Sequence, residues 1–317
     1  MNQYPRATRF LTERPWAIRE SMMDVIIEIA NMRANGVAFT KEEIQARVGA
    51  AKERQAAPKQ GAIAVLPLQG VIGPRMNLFM DISGGTSLEE FMQDFRAFRD
   101  DASVSAIICD IDSPGGSVFG LREAFDEIYA ARGTKPMVAM VRYTCASAAL
   151  FIASAFERIV SMPSGEIGSI GTLMVHEDRS EANKADGVKL TYITYGKYKG
   201  EGNPDEPLSD ETLEYYRQQA AHWGQDFEEA VAKGRGVSVD AVRKDFGQAR
   251  MLLAKDAKAV GLIDDIMTFE QLTAKVSSKR GFRSEVVDEL HEHADRAVVD
   301  SVSAADQSSW MTDVQLG

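Results

Sequence analysis

The sequence predicts an α/β fold in which buried strands alternate with amphipathic helices, with a helical N-terminal arm and a helical C-terminal part. Two observations carry that prediction. The runs from Ser105 to Ile111 and from Pro136 to Val141 are short and continuously apolar, as in strands buried on both faces of a parallel sheet. Between and around them the apolar period changes from two to near 3.6, strand giving way to helix repeatedly, which implies right-handed crossovers.

Taken in order, residues 14–58 read as helical. Trp16, Ile18, Met22, Ile26, Ile29 and Met32 recur at helical spacing until Asn35-Gly36 stops the helix. Thr40-Lys41-Glu42-Glu43 resembles a capping box opening a second helix through Val48, and the polar segment from Ala50 to Gly61 reads as a linker. This arm, residues 1–58, is either a docking element or a lid on the core. From Ala62 the texture changes: residues 62–68 and 70–73 read as strand and turn, and Thr86-Ser87-Leu88-Glu89 opens a helix bearing Leu88, Phe91, Phe95 and Phe98. Helices are expected over 121–131, 147–156 and 180–185, and strands over 158–161, 171–175 and 189–194. After Pro207 the chain reads as helices at 209–233, 238–246, 254–260 and 269–276. The main domain is thus expected over residues 59–276, and the charged, Ser-rich residues 277–317 as a tail at best partly ordered.

Composition narrows the classes of function. Across 317 residues, 44% apolar and 26% charged content is that of a globular protein with ample material for a core. A net charge of −11 argues against nucleic-acid or anionic-membrane partners, which require clustered Lys and Arg. Cys109 and Cys145 make no disulfide framework, so a reducing compartment is expected. No run reaches the ~18 apolar residues of a membrane span, so the expectation is a soluble, intracellular protein.

Chemistry concentrates between Asp110 and Ala153. Gly115-Gly116 follow a buried strand, where backbone N–H groups can face a developing oxyanion; a tight strand-to-helix turn is the plainer reading. About thirty residues on, a small, nearly uncharged run holds Ser147 at the start of a helix. A serine hydroxyl needs a base. Of the four histidines, His222, His291 and His293 lie in late segments, and His176 follows an apolar strand beside Glu177 and Asp178; nothing positions a Ser-His-Asp triad. A lysine acts as a base at neutral pH only if burial lowers its pKa by about 3 units from ~10.4. Lys197 and Lys199, flanked by glycines and tyrosines after a strand, fit such a placement. Cys145 is a further nucleophile in principle, although a small buried thiol is the commoner state.

Four motifs then occur in a recognisable order: Asp112-Ser113-Pro114-Gly115-Gly116; Ala146-Ser147 followed by Phe151-Ile152-Ala153; Gly168-Ser169-Ile170-Gly171; and Gly196-Lys197-Tyr198-Lys199. With Gly261-Leu262-Ile263-Asp264 as a closing motif, residues 60–270 resemble signal peptide peptidase A, the S49 family of serine peptidases. The resemblance implies a crotonase/ClpP-like fold and a Ser/Lys dyad needing no metal or cofactor. Residue by residue, Ser147 is the nucleophile and Lys199, the lysine after Gly-x-Tyr, the general base. Ser169 aims the lysine amine, and the N–H groups of Gly115 and Ala148 form the oxyanion hole. The family usually has two glycines after the nucleophile where this chain has Ala148-Ala149, which narrows the pocket while keeping the N–H donors.

Lacking a membrane segment, the chain looks most like the head maturation (prohead) proteases of tailed phages and prophages. That implies cleavage of capsid, portal or scaffold proteins, and of the protease itself, in the host cytoplasm or inside the procapsid. Such enzymes assemble, so a homo-oligomer is expected, with Lys199 acting in cis or in trans. The rival readings are a crotonase-like enzyme acting on acyl-CoA thioesters, which would not need Lys199, and a non-catalytic capsid-assembly or scaffold protein.

Overall fold

The structure, a computed structural model, describes residues 15–20, 22–23, 26–27, 62–75 and 85–278. Its centre is a mainly parallel sheet built where the sequence is most continuously apolar. β1 is Trp16–Ile18, β2 Ala62–Gln69, β3 Ile72–Gly73 and β4 Thr86–Ser87; helix α1 follows at Leu88–Asp100. β5 spans Val104–Ser113, β6 Gly115–Ser117, α2 Leu121–Ala130, β7 Met137–Ala146 and α3 Ala148–Ala153. β8 is Arg158–Ser161, β9 Glu166–Gly168, α4 Ser180–Ala185 and α5 Asp210–Arg235. The chain continues through α6 (Val239–Asp245), β10 (Met251–Leu253), α7 (Ala254–Ala259), β11 (Asp265–Ile266) and α8 (Phe269–Ser277). The α/β architecture is the one expected.

β2, β5 and β7 pair in parallel, and β7 then divides its edge between two partners. Its first half, Val138 to Val141, pairs with β8, and its last residues, Thr144 to Ala146, pair with β9. The antiparallel strand β10 covers β9. Alternate residues of these strands face opposite sides. Ile107, Cys109, Met137 and Ala139 join the main core with α1, α2, α3 and α5, whereas Ile108, Val138 and Met140 pack beneath Leu272 of α8. Burial of both faces is why these strands lack polar alternation. At a register shift between Ile111 and Ser113 the chain leaves this sheet. Past Pro114 it forms β6, the centre of a second, smaller sheet of order β1-β6-β3-β4.

The helices begin where the sequence caps them. Ser87 accepts from the Glu90 N–H, Ser209 from that of Thr212 and Ser238 from that of Ala241, each worth about 1 kcal/mol. Thr268 and Gln271 form a reciprocal capping box on α8. Among the described residues, no helix is long and apolar enough to cross a membrane.

Three local expectations fail. Trp16 and Ile18 lie in a strand rather than a helix; residues 20, 22–23 and 26–27 are helical. Residues 171–175 form no ladder beyond the bridge of Leu173 to Trp16. Residues 189–194 also join no strand ladder among the described residues and lie exposed. The expected helix at Thr40–Val48, the linker at 50–61 and the tail after Ser278 lie outside the described residues.

Candidate active site

Ser147 stands at the junction of β7 and α3, where strand turns directly into helix. It adopts φ 54° and ψ −119°, a conformation that side-chain-bearing residues rarely take and that costs of order 1–3 kcal/mol. The surroundings enforce it. The Ser147 N–H donates to the Gly168 carbonyl (2.9 Å), while the Ser147 carbonyl accepts from the Phe151 N–H (3.0 Å) and starts α3. All six residues of α3 are buried, so the helix cannot rotate without exposing an apolar face. Phe151 packs at 5.8 Å from Phe125 of α2 and 5.2 Å from Phe227 of α5. Burying each such ring contributes roughly 1.5–3 kcal/mol, enough to offset the strain at Ser147.

The far end of α3 is held by one cation. Arg132 donates from Nε to the Ala155 carbonyl (2.9 Å) and from Nη2 to those of Ser154 (2.8 Å), Phe156 (2.6 Å) and Gly234 (3.0 Å). It stacks 4.2 Å over the Tyr129 ring, and burial pushes its pKa down to about 10. Carbonyls left open at the end of a buried helix are thereby satisfied.

Gly115 meets Ser147 face to face. A Cβ on Gly115, whose φ is +100°, would lie 2.9 Å from Ser147 Cβ and 3.0 Å from the Ala146 carbonyl oxygen, and would collide with the Ala17 carbonyl oxygen. Gly116 is closed to side chains for a second reason: its Cβ would run into the Ile72 backbone. The turn is fixed by Ser113, whose Oγ donates to the Gly70 carbonyl (2.6 Å) and accepts from the Gly115 N–H (3.2 Å). Sequence reasoning quoted Ser113 in the motif without giving it this part; a hydroxyl two residues before a turn glycine is the signal for it.

The structure therefore brings Ser147, Ala148 and Gly115 together. Ser169 belongs to the neighbouring turn, at φ 56°, beside the Gly168 carbonyl that binds the Ser147 N–H. In the same turn the Gly171 carbonyl receives a long 3.4 Å contact from Ser147 Oγ. Lys199 is not brought in. It is exposed, and among the described residues no hydrogen bond joins its amine to Ser147 or Ser169. Around it, Val188, Leu190, Ile193, Tyr195 and Tyr198 are exposed, Ile193 and Tyr195 almost completely.

The competing candidates are occupied elsewhere. Lys197 donates to Glu211 Oε1 and Tyr198 Oη, both at 2.8 Å, and the Glu211 hydrogen bond raises its pKa. The His176 ring faces the Asn203 carbonyl at 3.2 Å. Cys145 is fully buried, and that burial pushes its thiol well above the usual range, so it is not a ready thiolate. Among the described residues no group of His, Cys, Asp and Glu is arranged to hold a metal.

Comparison with known proteins agrees with the motif order. Residues 130–283 match the sequence profile of peptidase family S49, a span that includes Ser147, Ser169 and Lys199. The chain is 33% identical over 205 residues to the head-tail preconnector protein GP5 of Enterobacteria phage P21, covering 65% of this chain and 40% of that one. It is 31% identical over 205 residues to capsid assembly protease C of Escherichia phage lambda, covering 65% and 46%. It is also 30% identical over 179 residues to the chloroplastic serine protease SPPA of Arabidopsis thaliana, covering 56% and 26%. The family S49 match takes in just under half of this chain, and the chain spans less than half the length of each of these relatives. Among solved structures, the membrane-bound stomatin-specific protease 1510-N overlays at TM-score 0.40 and 16% identity, over 69% of this chain and 81% of that one. ClpP1 from Listeria monocytogenes overlays at TM-score 0.40 and 16% identity, over 65% and 92%.

Proposed function

We propose that the protein is a serine endopeptidase working through a Ser147/Lys199 dyad, and that it processes capsid, portal or scaffold proteins during phage head assembly. The observation that carries the reading is Ser147 itself: a buried serine in a strained turn, pressed against a glycine turn and held by the Gly168 carbonyl. Ser147 Oγ attacks the scissile carbonyl carbon as Lys199 takes its proton. The Ala148 N–H and the Gly115 turn receive the oxyanion; a Gly115 N–H released from Ser113 Oγ adds the second donor. Lys199 then protonates the leaving amine and activates water to hydrolyse the acyl-enzyme, with Ser169 aiming its amine. The relatives named as a capsid assembly protease and a head-tail preconnector support the biological setting.

Lys199 reaches Ser147 from a neighbouring copy in this reading. Its segment is exposed and rich in apolar side chains, and burial in a subunit contact is what lowers a lysine's pKa far enough for a base. A fluorophosphonate should label Ser147 in the wild type and fall at least a hundredfold in rate in Lys199→Ala. Mixing Ser147→Ala with Lys199→Ala subunits should restore labelling, because each supplies what the other lacks. Full-rate labelling of Lys199→Ala alone would exclude the dyad; absence of rescue in the mixture would exclude action in trans.

A further inference from the structure

The chain's own N-terminal segment lies against the glycine turn that faces Ser147. β1 runs antiparallel to β6, with Trp16 opposite Ser117, Ala17 opposite Gly116 and Ile18 opposite Gly115. On its other edge Trp16 exchanges both backbone hydrogen bonds with Leu173, at 3.0 and 2.9 Å. The segment is thus an extended peptide laid between two walls, one belonging to the candidate oxyanion turn. Peptides bind sheet edges in this way, main-chain bonds giving affinity and side-chain pockets giving selectivity.

Side chains follow the same logic. Ala17 is 1% exposed and points into the main core beside Ser147, whereas Trp16 and Ile18 point the other way, into a cluster with Val71, Met23 and Ile26. A Cβ on Gly115 would meet both the Ala17 carbonyl oxygen and Ser147 Cβ, so the bare Cα of Gly115 is what lets the Ala17 strand and Ser147 approach the same turn. Downstream the segment is clamped again: the Arg19 N–H donates to the Pro114 carbonyl (2.8 Å) and Arg19 Nη1 pairs with Glu166 Oε2 (3.2 Å). Beyond Ile18 a pocket of about 440 Å³, bordered by Arg19, Ser169, Thr172 and Met251, leaves room where a leaving chain would pass.

We infer that the N-terminal segment is the enzyme's first substrate, cleaved between Ala17 and Ile18, and that the site selects a small residue before the scissile bond. This rests on the peptidase reading above. In the step, Ser147 Oγ bonds to the Ala17 carbonyl carbon, the Ala17–Ile18 C–N bond breaks, and the hydroxyl proton passes through Lys199 to the Ile18 nitrogen. One water then hydrolyses the ester, leaving the Ala17 carboxylate, a new Ile18 amine and free Ser147. Cleavage removes Trp16 and Ala17 from the groove and opens it to other extended peptides.

The test compares the full-length chain, wild type, Ser147→Ala and Ala17→Asp, by intact mass and by fluorophosphonate labelling. The expected result is a wild-type product beginning at Ile18, with Ser147→Ala intact. Ala17→Asp should also remain uncut at this bond while labelling at least as fast as the uncut wild type, because the charge expels the strand from its apolar pocket without touching Ser147. A wild type that labels at Ser147 yet keeps the Ala17–Ile18 bond overturns the inference and leaves the peptidase reading standing. A wild type that neither labels nor cleaves overturns both.

Discussion

The two halves of the candidate site differ in what holds them. The Ser147 half is fixed by its own chain: a buried helix, an arginine on that helix's terminal carbonyls, and a glycine turn too tight for any side chain. The Lys199 half, residues 187–199, is exposed, pairs with no strand among the described residues, and is tied down at its polar side chains, Tyr192 to Asp205 and Lys197 to Glu211. The difference teaches that one chain can fix a serine in a strained, buried turn while leaving the lysine proposed as its base out of reach. In such an arrangement the assembled state, rather than the folded one, is the active state.

The contrast can be broken at several points. The largest effect on stability is expected from Gly116→Ala, whose methyl meets the Ile72 backbone and must displace it; a loss of about 3 kcal/mol or more is expected in denaturant unfolding. Ile193→Asp should do the opposite. The subunit's unfolding should stay within about 0.5 kcal/mol, because the side chain is almost fully exposed, while sedimentation shows a smaller assembly and Ser147 labelling falls at least tenfold. Unchanged labelling would mean that this segment supplies no base to a neighbour. Ser147→Gly should be more stable than Ser147→Ala by about 1 kcal/mol, since glycine relieves the backbone strain and alanine keeps it.

The smallest effect is expected from Glu127→Gln, remote from both halves. Hydrogen bonds from Arg96, with help from Arg99, hold the Glu127 carboxyl below the usual range. With the folded-state pKa depressed, this ion pair stabilises fully above about pH 4.3 and is lost as pH falls through the folded value. Glu127→Gln should therefore cost about 0.5–1 kcal/mol at pH 7 and progressively less below pH 4.

Legibility in the sequence follows the same division. β5 and β7 are legible because burial on both faces makes them continuously apolar, and the helices because Ser87, Ser209, Ser238 and Thr268 mark their starts. β6 reads as a turn because two of its three residues are glycines; only its neighbours β1 and β3 make it a strand. Trp16 and Ile18 read as helical because they precede a run of helical spacing, yet their own separation of two suits a strand, and β6 with Leu173 gives that strand its partners. Residues 189–194 have the texture of a strand without an edge to join, and sequence texture cannot say whether that edge lies in the same molecule. The motif order pointed to Ser147, Gly115 and Ala148, which the fold gathers, and to Lys199, which a single chain does not bring to them.

A strand bound to its own molecule has a further consequence, for timing. A tethered segment faces the groove at an effective concentration on the order of millimolar, whatever the dilution. A free peptide with micromolar affinity would meet a competitor it could scarcely displace while Trp16–Ile18 remained in place. On the proposed reading, removal of the strand would be first order within the chain but would wait for a lysine supplied by another subunit. Substrate turnover would then start after a lag set by assembly and end the molecule's reversible life, since the severed strand, once diluted, has no tether to bring it back.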